Sequence, residues 1–151
     1  MPQSLTQVWL HLVFSTKNRR PDLQNPAFRD EMFRMLSHHV AEVGCYPKCS
    51  GGWIDHVHVV CGLGRTVTIA TLIEHIKVET SKWAKKTSYG VSSFAWQNGY
   101  GGFSVSQSNL DNVVSYVQRQ EEHHKTMSFQ DELRKLCRKH KVDFDERYIW
   151  D

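Results

Sequence analysis

The chain has 151 residues, 40% of them hydrophobic, and carries a formal net charge of +3. This length and composition favour one folded domain over residues 1–151, built around a single sizeable core. No apolar run approaches the roughly 18 residues that a membrane helix needs, and the first residues lack the basic segment and cleavage site of a secretion signal. We therefore expect a soluble, cytoplasmic protein.

The four cysteines of the chain are Cys45, Cys49, Cys61 and Cys137. A chain of this size with many aromatic residues can be stabilised by burial without disulfide bonds, so we expect free thiols. Cys45 and Cys49 look like half of a zinc site, but no second pair of Cys or His follows at the required distance.

The first half of the chain alternates between strand and helix patterns. Dense apolar residues over 5–16 predict a strand, and apolar residues recurring every three or four positions over 28–43 predict an amphipathic helix. Two further strands are predicted over 45–50 and 53–63, and the glycines between them favour a hairpin.

The second half begins with a helix that Thr68 is predicted to cap and that ends in the basic stretch SKWAKK. A glycine-rich stretch and a short strand over 103–105 follow. Ser108 and Asp111 then resemble a capping box at the start of a third helix.

The third helix is predicted over 109–124 and the last over 128–140. The resulting order, β, α, β, β, α, β and two helices, is that of an α+β, ferredoxin-like split βαβ fold, in which an antiparallel sheet carries two helices on one face. We expect the two C-terminal helices to cover the other face.

One predicted strand carries His56 and His58. Side chains alternate along a strand, so both imidazoles project from the same face and could chelate a divalent ion. A pair of histidines separated by one residue is common by chance, so a purely structural pair is the alternative.

The third predicted helix places Tyr116, Gln120 and His123 on a face beside its apolar stripe. That face could present a phenol and an amide oxygen to a neighbouring site. The alternative is an interfacial tyrosine beside a solvated glutamine.

Five segments, in their order and spacing, resemble the single-tyrosine HUH transposases of the smallest bacterial insertion sequences, relatives of the repeat-associated tyrosine transposases. These segments are HLVFSTKNRR, DHVHVV, WQNGYGGFSVSQS, YVQRQEEHH and DERYIW.

The resemblance implies that Tyr116 is the nucleophile and that the metal ligands are His56, His58 and Gln120. We expect Asp55 and His123 to lie next to these residues without binding the metal. This ligand set suits Mg²⁺ or Mn²⁺ when phosphate and water complete the shell, although imidazoles also accept zinc or nickel.

The resemblance also implies an activity. Such a transposase cuts and rejoins single-stranded DNA at hairpin-bearing element ends through a 5′-phosphotyrosine, with no nucleotide cofactor. Two-fold dimers are typical of the family, and the Tyr helix of one subunit completes the His pair of the other. Two alternatives stay open: a hairpin-binding module that no longer cuts, and a hydrolytic metalloenzyme in which Tyr116 is structural.

Basic clusters could neutralise the phosphates of such DNA, although solvated surface charge is the alternative. The candidates for DNA contact are Lys17, Arg19, Arg20, Lys82, Lys85 and Lys86. A further basic cluster comprises Arg134, Lys135, Arg138, Lys139 and Lys141. Trp83 and Trp96 would suit base stacking if exposed, but each could belong to the core instead.

Overall fold

The structure is a computed structural model that describes residues 2–151, and it has an α+β architecture. Its strands are β1 (Trp9–Ser15), β2 (Tyr46–Gly52), β3 (His56–Gly62) and β4 (Gly101–Val105). They form an antiparallel sheet in the order β2-β3-β1-β4. Its α-helices are α1 (Pro26–Glu42), α2 (Ile69–Lys86), α3 (Leu110–Gln118), α4 (Gln120–His123) and α5 (Phe129–Lys139). The predicted ferredoxin-like order with extra C-terminal helices is confirmed.

β1 is shorter than the strand predicted over 5–16. Its first residue, Trp9, pairs with Gly62 of β3 and with Val105 of β4, and both neighbouring strands end at these residues. The residues before Trp9 therefore have no strand residue opposite them, although Val8 accepts one hydrogen bond, from the N–H of Leu63 at 2.8 Å.

The main core lies between the sheet and helices α1 and α2. Phe14 of β1 and Val57 of β3 are fully buried there, together with Met32 of α1 and Ile76 of α2. Burying an apolar side chain of this kind contributes roughly 1.5–3 kcal/mol.

Both predicted stacking tryptophans belong to this core. Trp96 is only 8% exposed, and its indole N–H donates to the hydroxyl of Thr80. Trp83 is partly buried and stacks on Phe28, with ring centroids 5.5 Å apart. The alternative of a core position therefore holds for Trp96, and Trp83 packs against the same core.

Helices α3 and α5 cover the second face of the sheet, as predicted. Val60 packs with Val117 of α3, and Val13 packs with Leu133 of α5. α3 approaches β2 so closely that a Cβ on Gly51 would lie 2.5 Å from the backbone oxygen of Val117. Only glycine leaves room for the helix at this point.

The helix predicted over 109–124 is broken after Gln118. Arg119 has φ −106° and ψ 26°, outside the helical range, and its N–H donates to the carbonyl of Tyr116 at 3.2 Å. The side-chain amide of Gln120 lies 3.4 Å from that same carbonyl. The helix axis therefore changes direction at Arg119, directly before Gln120, whose side chain is buried.

The predicted capping box does not form. A 3₁₀ turn over Gln107–Asn109 precedes α3, and the Ser108 hydroxyl pairs with the Ser106 hydroxyl at 3.2 Å. Ser108 therefore lies inside this turn and is not the cap of α3, which Asn109 precedes without a side-chain cap hydrogen bond.

The cap predicted for α2 and the thiol state of the cysteines are confirmed, and the structure adds a cap at the start of α5. Thr68 caps α2 and Ser128 caps α5 through their hydroxyls. All four cysteines are free. None of the helices within residues 2–151 has the length and apolar character needed to cross a membrane.

Candidate functional site

Two histidines of β3 form the floor of the site. His56 pairs with Ser15 and His58 with Val13 of β1, so both imidazoles project from the sheet face that α3, α4 and α5 cover. Both side chains are fully buried. The alternation predicted from the sequence is confirmed.

Donor atoms from three further side chains converge on this pair. The His56 Nε2 lies 3.0 Å from Oε1 of Gln120, and the His58 Nε2 lies 3.0 Å from Oε1 of Glu132. The His124 Nε2 lies 2.8 Å from the Gln120 oxygen and 3.2 Å from the Glu132 oxygen. The donors of His56, His58, His124 and Glu132 all lie within 4.8 Å of one another.

This arrangement fits a divalent ion. Imidazole nitrogens and a carboxylate oxygen are the ligands that divalent metals prefer in proteins, and here they are buried and already close together. The amide oxygen of Gln120 adds a further donor beside His56.

Two residues orient the histidines from behind. Asp55 accepts at 2.8 Å from the Nδ1 of His56, and the ring of His11 lies 2.7 Å from the Nδ1 of His58. Hydrogen bonds to the second ring nitrogen fix the orientation of a ligating imidazole and, from a carboxylate, raise its basicity. Asp55 thus lies where it was expected.

The buried surroundings shift the pKa values of the neighbouring histidines in opposite directions. Burial alone would lower the pKa of His56, but hydrogen bonds to Asp55 and Glu132 outweigh it and raise the pKa to about 9. Burial lowers the pKa of His58, and burial together with the charge of His58 lowers the pKa of His11 to about 3. Burial would raise the pKa of Glu132, but the surrounding imidazoles hold it far below its usual range.

Tyr116 lies at the edge of this cluster. Its hydroxyl donates a hydrogen bond to Oε2 of Glu132 and lies 3.4 Å from the Nε2 of His123. Its ring meets that of His58 edge-on, with centroids 5.8 Å apart. Burial, and then the negative charge of Glu132, raise the pKa of the phenol above its ordinary value.

A cavity of about 270 Å³ opens beside the Tyr116 ring between α3 and α5. Its polar and charged lining includes Asn109, Asn112, Lys135, Lys139 and His140. A molecule entering the cavity would therefore meet both the phenol and the two α5 lysines.

The basic residues selected from the sequence lie elsewhere. Lys82, Lys85 and Lys86 belong to α2, which packs on the opposite face of the sheet. The guanidinium of Arg19 lies over the ring of Trp150, and Arg20 donates to the carbonyl of Ser93. Neither cluster lines the Tyr116 cavity.

Sequence reasoning missed Glu132, His124 and His11. Glu132 had a readable signal, because it stands three residues after Phe129 and five before Cys137 on the buried stripe of α5. A carboxylate at such an apolar position needs a partner. His124 had a signal too, because it stands four residues after Gln120 on the same helical face, and its N–H donates to the carbonyl of Gln120 at 3.0 Å.

A sequence model of the family described as "Transposase IS200 like" matches residues 4–120, more than half of the chain. The match includes the sheet, α3 and Gln120, and it ends before His124 and Glu132. The comparison with curated proteins gives no significant match.

The solved structures that share the fold include the following two. A proposed transposase from Deinococcus radiodurans R1 is 18% identical, with a TM-score of 0.60 over 80% of this chain and 95% of that chain. A REP-associated tyrosine transposase bound to a REP hairpin is 14% identical, with a TM-score of 0.56 over 82% of this chain and 73% of that chain.

Proposed function

Because the chain belongs to the family of IS200-like transposases, we propose that it cuts and rejoins single-stranded DNA with Tyr116 as the nucleophile. The observation that carries this proposal is the position of the Tyr116 phenol, between a convergent set of metal-binding donors and an open cavity. The DNA would carry hairpins at the ends of a mobile element, and the REP-associated relative is bound to a hairpin.

His56, His58 and Gln120 would hold a divalent ion, with His124 and Glu132 as further ligands. The bound ion would supply positive charge that stabilises the scissile phosphate as it is attacked. Three imidazoles make this set richer in nitrogen than the set predicted from the sequence, which favours manganese over magnesium.

The reaction would exchange one phosphoester bond for another. The Tyr116 oxygen forms a bond to the scissile phosphorus, the bond from phosphorus to the 3′ oxygen breaks, and the departing strand takes up a proton as its 3′ hydroxyl. The strand that begins at the phosphate stays linked to Tyr116. Because the phosphotyrosine ester retains the energy of the broken bond, rejoining needs no nucleotide cofactor.

His123 is the better acceptor for the phenol proton. Both His123 and Glu132 contact the Tyr116 hydroxyl, but the pKa of Glu132 is held far below its usual range, so this carboxylate is a weak base. Burial also lowers the pKa of His123, which weakens it as a base but keeps its imidazole neutral, and its pKa still lies above that of Glu132.

DNA would reach the phenol through the cavity, where Lys135 and Lys139 are available to phosphates. Lys17, Arg19, Arg20 and the α2 lysines could then contact only parts of a folded strand that extend around the molecule. Their role in DNA binding remains a prediction.

We also propose a homodimer with composite sites, in which α3 of one subunit completes the His56 and His58 pair of the other. The glycine-rich stretch before α3 is not a free hinge throughout, since Gly101 and Gly102 pair with Val13 and Leu12 inside the sheet. If α3 is exchanged between subunits, the chain must cross from one subunit to the other within residues 106–109, which connect β4 to α3. Exchange of an identical element is a low-cost route to a dimer.

The decisive experiment is incubation with labelled hairpin DNA and Mn²⁺, followed by denaturing electrophoresis. A protein-linked fragment is expected, and excess EDTA should abolish it.

Tyr116→Phe should bind the hairpin but form no adduct, with Tyr100→Phe as the control. An adduct formed by Tyr116→Phe would make another residue, such as Tyr100 or Tyr89, the nucleophile. Hairpin binding without cleavage would favour the binding module, and cleavage without linkage would favour the hydrolase.

Assembly is tested by a mixed dimer of His56→Ala and Tyr116→Phe subunits, co-expressed with different tags and purified before assay. Composite sites give the mixed dimer one intact site and restore cleavage, although each variant alone is inactive. A mixed dimer that binds hairpin DNA and metal but does not cut would place each site within one chain.

A further inference from the structure

A second cluster of metal-binding side chains lies at the packed surface of α1 and α2. The Nδ1 of His39 lies 3.2 Å from Oε1 of Glu42, and the Nε2 of His38 lies 3.7 Å from Oε2 of the same carboxylate. His75 of α2 reaches Oε1 of Glu42 with its Nε2 at 2.8 Å. Three imidazoles from two helices therefore surround one carboxylate.

The spacing of these donors suits a small ion. Donor atoms of His38, His39 and Glu42 all lie within 4.8 Å of one another. A tetrahedral zinc ion with bonds of about 2.0–2.1 Å holds its donor atoms roughly 3.3 Å apart. The distances from His39 and His75 to Oε1 of Glu42, and from His38 to Oε2, lie on either side of that value. His75 is outside the mutually close set and joins it through Glu42.

We propose that His38, His39 and Glu42 of α1, together with His75 of α2, form a second divalent metal site of the zinc class. Imidazole nitrogens select zinc, nickel or copper over magnesium and calcium. His39 is buried and His38 is exposed, so the ion would sit at the surface, with a buried ligand beneath it and an open path for entry. The ion would join the last turn of α1 to the middle of α2.

The carboxylate of Glu42 is ionised, as a metal ligand must be. Hydrogen bonds from His39 and His75, with burial opposing them, lower the pKa of Glu42, so it is charged at neutral pH. A metal-free hydrogen-bonded cluster is the rival explanation for the same contacts, and it makes the opposite prediction for metal binding.

The site is separate from the Tyr116 cluster. α1 and α2 pack on the sheet face that carries Val57, and the His56 and His58 imidazoles project from the other face. Removing one site should therefore leave the other intact, which makes the two sites separable by mutation.

The test measures Co²⁺ binding to the full-length chain carrying His56→Gln and His58→Gln, which removes two ligands of the first site. This protein should bind one Co²⁺ with the intense visible bands of tetrahedral cobalt, and Zn²⁺ should displace it. Adding Glu42→Gln, an exposed and nearly isosteric change, should abolish the bands, and His75→Gln should do the same. Glu79→Gln on α2 and His140→Gln are the matched controls and should leave the bands unchanged.

A second readout is the melting temperature of the same protein. Zn²⁺ should raise it, and the rise should disappear with Glu42→Gln. Unchanged cobalt bands in the Glu42→Gln protein would overturn the proposal, as would a double histidine variant that folds but binds no Co²⁺. Cleavage of hairpin DNA by otherwise unaltered protein should persist in Glu42→Gln, so failure of the proposed transposase activity is a distinct result.

Discussion

The hydroxyl of Tyr116 donates a hydrogen bond to Oε2 of Glu132. The other oxygen of that carboxylate lies 3.0 Å from the Nε2 of His58, so a single side chain joins the phenol to the buried histidines. Glu132 therefore affects both the metal donors and the protonation of the phenol.

Glu132→Gln should lower the pKa of Tyr116, because the change removes the negative charge beside the phenol. It should also weaken metal binding by roughly 10- to 100-fold, at least the loss typical of a residue that supports metal ligands. Ultraviolet titration of tyrosinate, with the Tyr116→Phe variant subtracted, measures the first effect. Calorimetry with Mn²⁺ measures the second, and unchanged affinity would exclude Glu132 as a ligand.

His123→Gln should slow strand cleavage by about 100-fold or more, because general base catalysis typically contributes 10²–10⁴-fold. Hairpin affinity should change little, since the side chain contacts the phenol hydroxyl at the edge of the cluster. Single-turnover rates at saturating DNA separate the two quantities. His140→Gln changes another imidazole of the cavity and should cut at the normal rate; an equal loss in both variants would argue against proton transfer to His123.

Metal affinity should rise with pH up to about 9, the pKa to which Asp55 and Glu132 raise His56 in the metal-free protein. With the unperturbed histidine pKa of about 6.5, metal affinity would stop rising near that pH, so the hydrogen bonds to His56 move the plateau to higher pH. Asp55→Asn should shift the rise to lower pH and weaken binding on the plateau by about tenfold. Calorimetry in buffers of different ionisation enthalpy counts the protons released; no release at pH 7.5 would show that His56 is already neutral.

The same shift affects stability without metal. The folded-state pKa of His56 lies above the ordinary 6.5, so its contribution is complete below pH 6.5 and is lost as the pH rises through about 9. We expect the free energy of unfolding to fall by on the order of 3 kcal/mol over that interval. Urea unfolding in EDTA measures it, and His56→Gln, which cannot titrate there, should lack this part of the fall.

Gly51→Ala should displace α3, because the new Cβ would lie 2.5 Å from the carbonyl oxygen of Val117. We expect a destabilisation of about 1–3 kcal/mol. Cleavage should fall by up to about 100-fold, since Tyr116 adjoins Val117 and small displacements of reacting groups are costly. Gly102→Ala, whose Cβ would lie 3.5 Å from its nearest neighbour, is the control for adding a methyl group to a strand. Equal rates in the two variants would contradict this account.

Lys135→Ala combined with Lys139→Ala should weaken binding of single-stranded DNA and reduce the salt slope of log K by about 1.4, or 0.7 per lost phosphate contact. These lysines line the Tyr116 cavity, whereas Lys85 and Lys86 end α2 on the other face of the sheet. Lys85→Ala combined with Lys86→Ala therefore has the same charge change and should have the smaller effect. Fluorescence anisotropy at several salt concentrations compares the two, and a larger loss in the α2 pair would place the DNA on that face.

The sequence by itself determined the order of elements and one part of the site. Alternation along β3 was enough to place His56 and His58 on one face, and helical spacing was enough to group Tyr116 with Gln120, because both patterns depend only on local backbone geometry. The covering of the second sheet face by the last helices followed from the unburied apolar side chains that a ferredoxin-like sheet leaves there.

Only the tertiary structure decided which other groups meet these residues. Glu132 reaches His58 from 74 positions away in the chain, and this contact depends on how α5 packs against the sheet. Trp96 could have been exposed or buried by its sequence context, and the decision came from the space between the sheet and α2. Local periodicity specifies the face of an element on which a side chain lies, but packing specifies what that face meets, because contacts between distant elements depend on the shape and volume of the whole core.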